Sequence, residues 1–146
     1  MKVLLQRVSS ASVTVDEKIR GAIGRGLVLL VGIAEGDTRE KLEPMAAKLS
    51  NLRIFPDERG KFHYSLKDIG GEVLAVPQFT LFADTTKGRR PEFFGAMRPE
   101  LAKPLFEEFA EALAAQGISR IECGVFGAHM AVELVNDGPV TIMLEA

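Results

Sequence analysis

Two histidines and one cysteine narrow the chemistry open to this chain. A metal site on His63 and His129 would have to recruit distant carboxylates around two imidazoles, and Cys123 has no Cys or His neighbour at ligand spacing. No metal and no cofactor is therefore expected. His129, in Gly127-Ala128-His129-Met130, reads as a packed or exposed loop histidine beside a strand. The sequence holds no Gly-x-Ser-x-Gly elbow and no phosphate loop ending in Gly-Lys-Ser or Gly-Lys-Thr, which argues against the standard serine hydrolases and nucleotide triphosphatases.

Three features remain. Gln78 and Thr80 stand two apart, which in a strand aims both at one face while Phe79 points the other way. They are either an outward-facing polar pair or part of a cleft whose backbone N–H groups polarise an ester carbonyl. Asn136-Asp137-Gly138-Pro139 combines a residue free of Cβ restrictions with one that admits a cis peptide bond, though a trans turn is the ordinary reading of such a run. Lys87, Arg89, Arg90, Arg98 and Lys103, diluted by Glu92 and Glu100, form a basic stretch that is either a solvated loop or a contact for nucleic acid. Because the net charge is −2, any such contact must be local.

The elements that must hold these residues follow from periodicity. The first 34 residues favour strands and a hairpin-rich start, with Leu27 to Ile33 continuous enough to be a central strand buried on both faces. Asp37 or Thr38 can cap a helix striped by Leu42, Met45, Ala46, Leu49 and Leu52, with Pro44 tolerable near its first turn. Short strands are expected at Leu52 to Phe55, Phe62 to Ser65 and Val73 to Val76, and Pro77 suggests a strand end, edge or bulge. A second helix runs from about Pro99 to Gln116 and ends at Gly117. Three strand-like pieces close the chain: Ile118 to Val125, Met130 to Val135 and Val140 to Leu144. This order argues for an α+β single domain spanning 1–146, a barrel-like antiparallel or mixed sheet with two main helices packed outside, rather than a doubly wound parallel sheet.

At 146 residues, 47% of them hydrophobic and 26% charged, the chain is an ordinary globular mixture sized for one core. The longest apolar run, Gly26 to Ala34, falls well short of the roughly 20 residues of a spanning helix, so no membrane span and no signal peptide are expected. A lone cysteine suits a reducing cytoplasm.

Taken in order, Gln6-Arg7-Val8, the Gly26-Leu27 strand, Leu52-Arg53-Ile54-Phe55, Gln78-Phe79-Thr80-Leu81, Lys87-Gly88-Arg89-Arg90-Pro91, Gly124-Val125-Phe126-Gly127-Ala128 with Met130, and Asn136-Asp137-Gly138-Pro139-Val140-Thr141 resemble the D-aminoacyl-tRNA deacylase family nearly end to end. The resemblance implies a homodimer, a β-barrel-like fold, and hydrolysis of the ester joining a D-amino acid to the terminal ribose of tRNA, with some action on glycyl-tRNA. It reverses two readings above: Gly138-Pro139 should be cis, and Lys87, Arg89 and Arg90 should face RNA. In the family the Gly-cis-Pro element enters the partner's pocket to receive the substrate ammonium. Arg7 is then the residue to hold that loop, Gln78, Phe79 and Thr80 the catalytic segment, and Met130 a pocket residue or a core-filling methionine.

The sequence departs from the family pattern at Pro77, where Ser usually precedes Gln-Phe-Thr-Leu, and in Lys61-Phe62-His63-Tyr64-Ser65. A related branch with proline at this place discriminates substrates differently. A proline-type deacylase of mischarged L-alanyl esters and a non-catalytic tRNA-binding module therefore stand as alternatives.

Overall fold

The computed structural model describes residues 1–146. Its organising element is β1 (Lys2–Val15), whose Val3, Leu5, Val8 and Val13 are fully buried. Beyond β2 (Lys18–Ile23), which returns antiparallel along the far half of β1, β3 (Gly26–Gly32) pairs with its first half from Lys2↔Gly32 to Val8↔Gly26. β3 is buried on both faces along almost its whole length, as its unbroken apolar run requires of a central strand.

A crossover through α1 (Leu42–Asn51) and the small hairpin β4 (Phe55–Pro56) and β5 (Phe62–Tyr64) leads to β6 (Glu72–Pro77), parallel to β3. α2 (Pro99–Ala115) then returns the chain to β7 (Ile121–Cys123), parallel to β6. Last comes β8 (Ala131–Glu145), antiparallel along the full length of β1. The mixed sheet curls so far that a Cβ built on Gly21 of β2 would lie 2.9 Å from Glu122 Cβ of β7, which nearly closes the barrel.

Alternation along the strands sends side chains to two cores. Val8, Val13, Val28, Leu74 and Val76 fill the barrel interior. On the outer face Leu27, Leu29, Val73 and Ala75 meet Leu49 of α1 and Phe106 and Phe109 of α2.

The expected elements recur with four differences. Of the strand expected at Leu52 to Phe55 only Phe55 pairs, in β4, while residues 52–54 lie between α1 and that strand. Neither Asp37 nor Thr38 caps α1: a 3-10 turn, Arg39–Lys41, precedes the helix, Thr38 makes no capping bond, and the Asp37 carboxylate accepts from Ala34 N–H and Lys41 instead. The piece read as Ile118 to Val125 pairs only over β7. The two pieces on either side of residues 136–139 are one strand: β1 advances from Gln6 to Val8 while β8 runs from Thr141 to Asn136, so Asp137 to Val140 bulge out opposite Arg7.

Candidate active site

β3 and β6 end side by side, with Val31 opposite Pro77. Pro77 has no N–H to continue the ladder, so β6 stops there, and Gln78 N–H closes the pairing onto Val31 carbonyl at 2.8 Å. The chain then enters a 3-10 turn, Phe79–Phe82. Gln78 and Thr80 therefore do not share a strand face. Gln78 Nε2 instead donates to Thr80 Oγ1 across the first residues of the turn. The turn can lie this close because β3 ends in Gly32: a Cβ there would meet the Phe82 ring at 2.8 Å and Gln78 carbonyl at 3.1 Å.

The turn has a chemical consequence. Leu81 N–H donates back to Gln78 carbonyl and Ala83 N–H to Thr80 carbonyl, whereas the N–H groups of Phe79 and Thr80 open the turn and have no acceptor within it. Of the N–H groups of Gln78, Phe79 and Thr80, that of Gln78 is spent on Val31.

Beside this turn opens a cavity of about 780 Å³, walled by Gln78, Phe79, Phe93, Phe106, Phe126 and Met130. Phe93 stands edge-on to Phe79, ring centres 5.0 Å apart. Met130 is seated against Pro77 by Gly124, where a Cβ would lie 2.8 Å from Met130 Sδ and 3.3 Å from Pro77 Cδ. The walls are apolar and the rim carries Arg98, Glu100 and Lys103 from the start of α2. Phe93 escaped the sequence reading; a phenylalanine within a polar, basic loop was the available signal.

A second constellation lies on β1 and β8. The buried Arg7 guanidinium donates from Nε to Asp137 carbonyl at 2.7 Å and from Nη1 to Ile54 carbonyl, and the Phe62 ring covers it with Cζ 5.7 Å from the ring centre. Asn136 ties the bulge from inside, accepting from Val140 N–H at 2.8 Å and donating to Val140 carbonyl at 3.2 Å. The bulge is thus no simple turn, and the Gly138-Pro139 bond is cis. Asn136 as a clamp was also missed from sequence.

Gln78, Phe79 and Met130 therefore line one cavity and Thr80 is bonded to its edge, but Arg7, Gly138 and Pro139 do not line it. Lys87, Arg89 and Arg90 sit in an exposed loop pinched at its base by reciprocal Asp84 and Glu92 backbone bonds.

Two further residues bear on reactivity. Burial pushes the Cys123 thiol up, and neighbouring Glu122 adds to it, so at neutral pH it is a protonated thiol rather than a nucleophile. No three or more His, Cys, Asp or Glu gather as a metal site would need, and no helix is long and apolar enough to cross a membrane.

An aromatic-walled cavity at the carboxyl ends of two parallel strands, edged by the opening residues of a 3-10 turn, defines a binding cleft suited to a ligand with an aromatic body and a polarisable carbonyl. The model of the D-Tyr-tRNA(Tyr) deacylase family matches residues 4–145, and the chain belongs to that family. It is 58% identical over 146 residues to a D-aminoacyl-tRNA deacylase of Thermomicrobium roseum, spanning all of this chain and 94% of that one. The corresponding protein of Roseiflexus castenholzii is 56% identical, covering all of this chain and 92% of its own. Among solved structures the chain is similar to a c-Myc DNA unwinding element binding protein, with TM-score 0.93, 46% identity and coverage of 100% and 99%. A probable eukaryotic D-amino acid tRNA deacylase shares the fold, with TM-score 0.86, 20% identity and coverage of 98% and 97%.

Proposed function

We propose that this chain hydrolyses the ester between a D-amino acid and the terminal ribose of tRNA, sparing the L-ester, as a homodimer in the cytoplasm. The observation that carries the reading is the 3-10 turn whose opening N–H groups, Phe79 and Thr80, have no acceptor within it and lie at the edge of an aromatic-walled cavity. Water adds to the ester carbonyl carbon, the charge developing on the carbonyl oxygen is met by these donors, and the carbon–oxygen bond to the ribose breaks with a proton returning to the leaving oxygen. One such donor contributes roughly 3 to 4 kcal/mol in other acyl-transfer enzymes. The neighbouring ribose hydroxyl positions the water, and Thr80, held by Gln78, organises the pocket.

Handedness requires a second fixed point. With the ester carbonyl and the α-ammonium both held, only hydrogen and side chain exchange places between mirror-image substrates, and one of the two then strikes backbone. Gly138 and Pro139 supply that backbone and accept the ammonium on their carbonyls. In a single chain they do not line the cavity, which is why the partner's copy completes the site. β8 suits such pairing: it is long, lies on the edge of the sheet and exposes Val135 and Met143. Glycyl esters, lacking a side chain, pass the same test and are hydrolysed.

Pro77 favours one second reading, a proline-type deacylase of L-alanyl esters, because it removes a hydroxyl and an N–H beside Met130. Side-by-side deacylation of D-tyrosyl-, L-tyrosyl-, glycyl- and L-alanyl-tRNA separates the possibilities. The expected result is multiple-turnover release from the D-tyrosyl and glycyl esters with L-tyrosyl-tRNA largely intact. Faster release of L-alanine would establish the proline-type reading, and binding without release a tRNA-binding module.

A further inference from the structure

Phe93 lines the cavity, but its neighbour Phe94 is 83% exposed, the most exposed large apolar side chain of the chain. An aromatic ring so placed costs apolar surface in water and does nothing for the core. Its backbone, moreover, is pinned on both sides. Glu92 exchanges two hydrogen bonds with Asp84, at 2.7 and 2.9 Å, Ala96 N–H donates to Phe93 carbonyl at 3.0 Å, and Gly95 carbonyl accepts from Glu35 N–H at 3.0 Å. The ring is therefore held out at a defined place, directly after Lys87, Arg89 and Arg90. The loop before it carries Lys87, Arg89 and Arg90 against two carboxylates, Asp84, which accepts from Thr86 N–H and its hydroxyl, and Glu92.

Resting on the deacylase reading above, we infer that Phe94 is a stacking platform for an unpaired base of the tRNA 3′ end just upstream of the terminal nucleoside, with Lys87, Arg89 and Arg90 following the phosphates. Single-stranded nucleic acid is gripped by this pairing of an aromatic face with tracking cations, and the stack tolerates any base because every base has a π-face. Continuity supports the assignment: with the terminal ester beside Phe79 and Phe93 the strand must leave the cavity, and Phe94 is the next residue along the same pinned segment. A fixed ring also spares the ordering cost that a mobile one would add.

The test compares two substrates of the whole enzyme, D-tyrosyl-tRNA and the D-tyrosyl ester of adenosine, which has nothing upstream to stack. Phe94→Ala should raise KM for the tRNA ester roughly tenfold with kcat unchanged, in keeping with the loss of one stacked base, while leaving the adenosine ester's kcat/KM where it was. Phe94→Trp should restore the tRNA KM and Phe94→Leu, equally apolar but without a π-face, should not. An unchanged tRNA KM in Phe94→Ala, equal losses on both esters, rescue by Leu, or a change in solution mass showing the ring against a second copy would each overturn the assignment. If the wild type releases tyrosine from neither ester, the deacylase reading has failed and the platform with it.

Discussion

Arg7 shows how one side chain can hold two distant stretches of backbone together. A guanidinium offers several donors in a fixed plane, so it can hold two carbonyls from different parts of the chain, Asp137 and Ile54, where an ammonium would hold one well. Arg7→Lys keeps the charge but loses the fork, and turnover of the D-ester is expected to fall at least tenfold in single-turnover assays. Gly138 is constrained sterically: a Cβ there would lie 2.7 Å from Val140 N, so Gly138→Ala must displace the bulge. The expected outcome is loss of most D-ester hydrolysis with a melting temperature close to that of the wild type. Thr80 separates two mechanisms. If it organises the pocket, Thr80→Val retains turnover reduced by about tenfold, the scale of one lost hydrogen bond; complete loss of turnover with binding preserved would make it the nucleophile.

At the level of elements, the junction ahead of α1 stands out because its charge is buried. Desolvation pushes the Asp37 carboxyl up, but bonds from Lys41, the Met1 amino group and Ala34 N–H outweigh it and leave the pKa below its ordinary 3.8. A depressed folded pKa contributes stability above the unfolded value and loses it as pH falls through 3.8 toward the folded one. Asp37→Asn is expected to cost about 2 kcal/mol at pH 7, the scale of hydrogen bonds to a charged group. Its stability should then fall less steeply between pH 4 and pH 2, about the range in which carboxylates titrate, which thermal unfolding across that range measures. The same scale explains the cavity's position. β6 can stop beside β3 and turn sharply because Pro77 ends the ladder and Gly32 leaves room, so two strand ends and α2 frame an opening rather than continuing as sheet.

For the molecule as a whole, the separation of the two constellations is the governing fact. Aromatic cavity and Arg7-held bulge occupy different parts of one chain, so a shared site requires a second copy. Mixing gives the sharpest test. Phe79→Ala impairs the cavity and Gly138→Ala the bulge, and each homodimer should be nearly inactive. A co-refolded mixture should regain activity, approaching a quarter of the wild type's, since half the dimers are mixed and each of those keeps one intact site of its two by simple pairing statistics. No regain on mixing would mean that each chain works alone.

The hydrophobic patterning alone foretold the central strand Gly26–Gly32, the helix beginning at Pro99 and the α+β class, because burial on one face or on both leaves a local period that composition cannot hide. Ordered motifs pointed to the family and singled out Arg7, Gln78 and Gly138. Tertiary structure alone decided the rest. Gln78 and Thr80 lie in a turn because Pro77 ends the ladder and Gly32 admits the fold-back, a matter of neighbours in space. Residues 137–140 form a bulge within one strand because the register on either side of them is set against Gln6 and Val8, some 130 residues away. Which backbone N–H groups remain free, and that Phe93 faces the cavity while Phe94 faces solvent, depend on where hydrogen-bond partners arrive from distant segments, and no local period records that.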